Sequence, residues 1–147
     1  MRVSEIFYSI QGEGKLAGVP SVFIRTTGCN LRCEWCDSPY TSWEPRGEPM
    51  SIDEIMARVA QLTSKHVVVT GGEPLLAAEI VELTRRLRTA GNHITIETAA
   101  TIWKPIECDL ASISPKLSNS TPTGRATDSW VARHERGRGD AEKRLGH

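Results

Sequence analysis

Thr27-Gly-Cys-Asn-Leu-Arg-Cys-Glu-Trp-Cys-Asp-Ser38 holds three of the chain's four cysteines. Cys29, Cys33 and Cys36 stand as C-x3-C-x2-C, a spacing that lets one short loop wrap three thiolates around an inorganic centre. Closed zinc and closed iron-sulfur sites take four protein ligands, and this loop offers three. The pattern points to a cubane cluster with one iron left open to a chelating small molecule. The competing reading is a structural zinc knuckle with a histidine as fourth ligand. The nearest histidine, His66, lies far along the chain at the head of an apolar run.

Working outward, Pro20–Thr26 precedes the loop and is rich in β-branched residues, so the cysteines hang from the C-terminal end of a strand. Open α/β sheets and β/α barrels place their chemistry there. Val3–Ile10 alternates Val3, Glu5 and Phe7 against Ser4, Ile6 and Tyr8 and reads as a strand that pairs with it, ending at Gly12 and Gly14. Thr41–Met50, with Trp43, Pro45, Gly47 and Pro49, reads as a loop. Ser51 and Glu54 form a capping-box signature for a helix with Ile52, Ile55, Met56, Val59 and Leu62 on its apolar face. His66–Thr70 is a short strand of the kind buried on both faces. Gly71-Gly-Glu-Pro74 then leads into a helix over Leu75–Arg88, stopped by Gly91, and Ile94–Glu97 and Asp109–Ile113 are further strands. The alternation predicts an α/β fold, a mostly parallel sheet curling toward a partial, incomplete β/α barrel.

The chain of 147 residues suits one modest domain. Lys plus Arg and Asp plus Glu number 18 each, so net charge advertises neither nucleic acid nor an anionic membrane as partner. No apolar run approaches the roughly 20 residues of a membrane span, and the opening Met-Arg-Val-Ser-Glu lacks a signal-peptide core. Clustered cysteines suit a reduced, cytoplasmic metal site better than a disulfide framework. Cys108 stands apart and reads as a small buried residue without a role. From Ser118 onward the only large apolar residues are Trp130, Val131 and Leu145. That composition predicts a core domain over 1–117 and a poorly ordered tail over 118–147, with a turn or two of helix at most over Ala126–Arg136.

The cluster loop, with Trp35 just before its last cysteine, resembles that of the radical S-adenosylmethionine enzymes. Tyr8-Ser-Ile-Gln-Gly-Glu-Gly14, Cys36-Asp-Ser38, Thr70-Gly-Gly-Glu-Pro74 and Ser114-Pro-Lys116, in that order, are similar to the 7-carboxy-7-deazaguanine synthase family from about Val3 to Lys116. The resemblance implies a radical-SAM-type partial barrel and a 4Fe-4S cluster on Cys29, Cys33 and Cys36. It implies S-adenosylmethionine held by Trp35, Cys36, Asp37, Gly72, Ser114, Pro115 and Lys116, with Glu73 near its ammonium group. It places Mg2+ at Ser38 and a pterin substrate against Ile10, Gln11, Gly12, Arg25 and Thr70. The implied reaction is a lyase step of queuosine biosynthesis: a 5′-deoxyadenosyl radical takes hydrogen from 6-carboxytetrahydropterin, the ring contracts and ammonia is lost. A flavodoxin or ferredoxin as electron donor and a homodimer come from the same resemblance.

Each of these residues also has a plainer reading. Trp35 could be loop packing, Asp37-Ser38 an Asx-type turn, Gly71-Gly72 a tight strand-to-helix turn, Gln11 and Glu13 solvated turn residues, and Lys116 a surface lysine. Arg25 is different, because an unpaired guanidinium among the apolar residues of a strand is costly. It therefore calls for an anionic partner, for which a substrate carboxylate held by a bidentate fork is suited. Near Ala99 and Ala100 the family carries glycine, so Glu97–Thr101 stays outside the expected site. Two other functions share features with this one. A glycyl-radical activase has the cluster spacing but should lack Gln11 and the Cys-Asp-Ser turn, and a non-catalytic cluster-binding remnant would lack a complete pocket. The family's closing strands have no counterpart after Ser118, so cofactor cleavage without efficient pterin conversion is the expectation.

Overall fold

Alternate residues of three strands separate the two faces of the sheet. On β2 (Pro20–Thr26), β4 (His66–Gly71) and β5 (His93–Thr98), the side chains of Val22, Ile24, Val67, Val69, Ile94 and Ile96 are completely buried in one core. Ile55 and Val59 of α2 (Ile52–Ala60) and Ile80, Leu83 and Leu87 of α3 (Ile80–Thr89) complete it. Burial of each such side chain contributes about 1.5–3 kcal/mol. Phe23, Arg25, Val68, Thr70, Thr95 and Glu97 lie between the core residues and so face the other way. No helix covers that second face with comparable apolar packing among residues 1–146, which are those the computed structural model describes.

The sheet has six strands in the order β3-β1-β2-β4-β5-β6, with β1 at Arg2–Ile10, β3 at Glu48–Pro49 and β6 at Leu110–Ile113. β2, β4, β5 and β6 run parallel, while β1 pairs antiparallel with both β2 and β3. This is the mostly parallel, incomplete barrel expected from the alternation of elements. The capping box at Ser51 forms: Glu54 N donates to Ser51 Oγ at 3.2 Å, and Ser51 N donates to Glu54 Oε2 at 2.7 Å.

Four local expectations are corrected. A bulge between Val3 and Glu5 breaks the even alternation of β1. Val3 is buried in the helix-side core, whereas Glu5, two residues on, stands opposite Arg25. The extra residue of a bulge re-phases a strand in this way. The stretch Thr41–Met50 is not wholly loop, since its start belongs to α1 (Pro39–Ser42) and its end forms the short edge strand β3.

The helix expected over Leu75–Arg88 is split into a 3-10 turn at Pro74–Leu76 and α3, which begins only at Ile80. The Glu73 side chain accepts from Leu75 N and closes the tight turn, and Ala77 then leaves helical geometry. Finally, the segment for which composition predicts little order contains an 18-residue helix, α4 (Asp128–Leu145). It docks without large aliphatic side chains, through small residues, cation-aromatic contacts and buried hydrogen bonds, none of which a hydrophobicity count registers.

Candidate functional site

The C-terminal ends of β2, β4 and β5 open onto two adjoining cavities. One, of about 120 Å³, is lined by Cys29, Cys33, Cys36, Leu31, Trp35 and Thr41, together with Ser42, Gly71, Gly72, Ala99 and Lys116. The other, of about 480 Å³, is lined by Ile10, Gln11, Gly12, Arg25, Thr70 and Glu97, with Phe7, Ser9, Glu13 and Phe23. Asp37 and Ser38 line both. All three cysteines expected to hold a cluster thus share one wall system, and all five residues expected to touch substrate share the neighbouring one.

The cysteine loop leaves β2 at Thr26 and is tied down on each side. Gly28 N donates to Thr41 O at 2.8 Å, Glu73 N to Gly28 O at 2.9 Å and Trp43 Nε1 to Cys33 O at 3.0 Å. Burial pushes the Cys29 thiol up to about 12 and the Cys33 thiol up to about 11, so both keep their protons unless a cation takes the proton's place. No three His, Cys, Asp or Glu side chains among the described residues converge on a single point. Three thiols around one cavity could each hold one iron of a cubane cluster and leave the fourth iron open.

Gly71 and Gly72 are required by close backbone packing. A Cβ on Gly72 would lie 2.3 Å from Gly28 O, and one on Gly71 would lie 2.1 Å from Thr26 O. These glycines join the end of β4 to the start of the cluster loop, and Gly72 also borders the cysteine cavity. Glu73 is buried, 1% exposed, and lines neither cavity. Its carboxylate accepts from Thr98 Oγ1 at 2.8 Å, Ala99 N at 3.0 Å and Leu75 N at 3.2 Å, while burial raises its pKa. It acts as an internal tie between β4 and β5. Ser114 and Pro115 also line neither cavity; Ser114 Oγ accepts from Lys116 Nζ at 2.9 Å. Lys116 itself stands over the Trp35 ring, 5.4 Å from its centroid. Trp35 remains 53% exposed.

Arg25 has a partner within the chain: its Nε donates to Glu5 Oε1 at 2.8 Å. The guanidinium lies 5.6 Å from the centroid of the Phe7 ring, which stacks on Phe23 at 5.0 Å. The anionic partner expected for Arg25 from the substrate is thus supplied in part within the chain, by Glu5, while Nη1 and Nη2 have no hydrogen bond among the described residues. Gln11 is buried, 4% exposed, with Oε1 accepting from Gly12 N at 2.9 Å and Nε2 donating to Glu97 Oε1 at 2.8 Å. Gly12 N can only donate, which fixes the amide's orientation. One acceptor lone pair and one donor hydrogen of Gln11 remain for a ligand. Ser38 is half-buried, and its Oγ donates to Asp37 Oδ1 at 2.9 Å.

Sequence reasoning missed Glu97, Phe7 and Glu13 as wall residues. Glu97 was detectable, since it ends a strand on the same face as Thr70. Ala100, by contrast, supports the reservation about that segment: it sits at φ 58, the left-handed region that favours the glycine expected there.

Comparison with known proteins follows the same outline. The Radical SAM superfamily profile matches residues 23–115, and the chain belongs to that superfamily. It is 54% identical over 138 residues to a 7-carboxy-7-deazaguanine synthase of Halobacterium salinarum, covering 90% of this chain and 54% of the relative. It is 52% identical over 143 residues to the enzyme of the same name from Rhodopirellula baltica, covering 97% of this chain and 53% of the relative. The second alignment takes in most of α4. The crystal structure of QueE from Escherichia coli superposes with a TM-score of 0.71 at 28% identity, over 90% of this chain and 66% of that one. The chain spans about half the length of the curated relatives it matches.

Proposed function

We propose that the chain acts as a radical S-adenosylmethionine lyase that converts 6-carboxytetrahydropterin to 7-carboxy-7-deazaguanine with loss of ammonia, a step of queuosine and 7-deazapurine biosynthesis. The observation that carries this reading is the pair of adjoining cavities, one walled by three cysteines and the other by Gln11, Arg25 and Thr70, with Asp37 and Ser38 common to both. Residues 1–117 form the core domain in this reading. When bound, the cluster and S-adenosylmethionine supply one-electron, hydrogen-abstracting chemistry.

The chain's own residues bind and orient. Cys29, Cys33 and Cys36 hold the cluster, and Gly72, Trp35, Asp37 and Lys116 border the space next to it. Ser114 and Pro115 act at one remove, by positioning Lys116. Gln11 offers a donor and an acceptor to the edge of a pterin, Arg25 its terminal nitrogens to a carboxylate, and Thr70 and the backbone of Ile10 and Gly12 close the wall. Ser38 is the proposed Mg2+ ligand, with substrate and water oxygens filling the shell of an ion that keeps few protein ligands. A flavodoxin or ferredoxin donor, a homodimer and a cytoplasmic setting belong to the same reading. Among the described residues no helix is long and apolar enough to cross a membrane.

The test begins with anaerobic reconstitution of wild type and four single Cys→Ala variants. Iron and sulfide should be lost in the Cys29, Cys33 and Cys36 variants and kept in the Cys108 variant. Deoxyadenosine and 7-carboxy-7-deazaguanine are then quantified side by side from wild type incubated with the pterin. Equal iron loss from Cys108→Ala, or no deazaguanine formed by cluster-loaded protein, overturns the reading.

A further inference from the structure

Residues 117–144 pack along the outer side of the cysteine loop. Glu34 N donates to Ser120 O at 2.9 Å, Arg125 Nη1 to Glu34 O at 2.9 Å and Trp35 Nε1 to Asn119 O at 3.2 Å. Arg32 lies over the Trp130 ring of α4 at 3.7 Å. Gly137 lets the helix approach so closely that a Cβ there would stand 2.9 Å from Leu31 Cδ2. At the centre of this contact is His134, a polar side chain with 0% exposure.

Its hydrogen bonds can run in only one direction. Arg32 N can only donate, so His134 Nδ1 accepts from it, at 3.1 Å. Leu117 O can only accept, so Ser120 Oγ donates to it, at 2.6 Å. The Ser120 oxygen is then left to accept from Nε2–H, at 2.9 Å. The ring is thereby fixed as the neutral Nε2–H tautomer. The resulting chain of bonds joins the backbone between Cys29 and Cys33 to the backbone that directly follows Lys116, two segments that both contribute to the lining of the cysteine cavity.

We propose that His134 is a positioning residue for the cluster loop, holding the Arg32 amide and, through Ser120, the backbone that follows Lys116 in fixed register at the cavity. The proposal rests on the reading that Cys29, Cys33 and Cys36 hold a cluster. It also gives α4 a task in the site, although no residue of that helix lines either cavity.

The experiment uses the full chain, first without metal. Hydrogen exchange at the Arg32 amide is measured in wild type, His134→Leu and His134→Asn. Asparagine places an acceptor near the position of Nδ1, and leucine does not. Protection in wild type, a loss of about tenfold or more in His134→Leu and recovery in His134→Asn are expected. After reconstitution, the low-temperature EPR of the reduced cluster, with and without S-adenosylmethionine, should change in His134→Leu and return toward wild type in His134→Asn. Equal exchange in all three proteins, or equal loss in both variants, overturns the proposal.

If circular dichroism shows that His134→Leu does not fold, Ser120→Ala takes its place. That change cuts only the Nε2 end, and protection should fall part of the way; exchange equal to wild type then overturns the proposal. A wild type that protects Arg32 through His134 yet takes up no iron supports the tie and overturns the cluster reading instead.

Discussion

Gln11 Nε2 donates to Glu97 Oε1 at 2.8 Å, joining the end of β1 to the end of β5 across 86 residues of sequence. The carboxylate holds the amide in one orientation, so the edge that Gln11 presents to the larger cavity has a defined donor and a defined acceptor. Glu97→Gln leaves Gly12 N to orient the amide but turns the charge-assisted bond into a neutral one. Affinity for 6-carboxytetrahydropterin, measured by calorimetry on cluster-loaded protein, should weaken by about tenfold, the value of one charge-assisted hydrogen bond, while iron content is unchanged. Unaltered affinity would remove Glu97 from the site.

Arg25 gives its Nε to Glu5 and lines the larger cavity, and its terminal nitrogens carry no hydrogen bond among the described residues. Lysine has a single ammonium and cannot serve both. Arg25→Lys should raise the substrate dissociation constant by roughly tenfold or more and leave cofactor cleavage in the absence of substrate near the wild-type rate. An equal loss of both would mean that Arg25 supports the sheet instead of the substrate.

Gly72 and Ala100 should respond to substitution with opposite signs. Gly72→Ala sets a Cβ against Gly28 O and Thr41 O, both backbone atoms that cannot swing aside. It should destabilise the fold by about 1–3 kcal/mol, as overpacking does. Ala100→Gly relieves a side chain held at φ 58 and should stabilise by up to about 1 kcal/mol. Urea melts of the metal-free proteins decide both, and a stabilising Gly72→Ala would contradict the backbone contact.

His134 makes docking of α4 dependent on pH. Burial, and after it the neighbouring Arg138 guanidinium, lowers its pKa below the ordinary histidine value, with Glu135 opposing; from the cluster loop it is the Arg32 backbone amide that meets the ring. The unfolded chain takes up the proton at about pH 6.5, and the folded one only further down. The contribution is therefore complete above about pH 6.5 and is lost as pH falls toward the folded value. Metal-free wild type should lose stability on going from pH 7 to about pH 5 more steeply than His134→Asn, which has no imidazole to protonate. Parallel pH profiles would refute this.

What the sequence determined by itself was local or periodic. The spacing of Cys29, Cys33 and Cys36 implied three ligands in one loop, and the β-branched, apolar runs of Pro20–Thr26, His66–Thr70 and Ile94–Glu97 implied the strands that carry the core. Ser51 and Glu54 marked the start of α2 three residues apart. In each case the physical cause lies within a turn or a strand, so it leaves a readable pattern. Tertiary structure decided the rest. The bulge at β1 turns Glu5 toward Arg25 although Val3 faces the core. Gly71 and Gly72 answer to the backbone of Thr26 and Gly28 as well as to a ligand. Glu97 joins the site only because β5 ends beside Gln11, and α4 is ordered through one histidine, one glycine and stacked cations. Such contacts join residues tens of positions apart through small and polar side chains, which have no periodicity along the chain and whose value depends on the partner that folding brings to them.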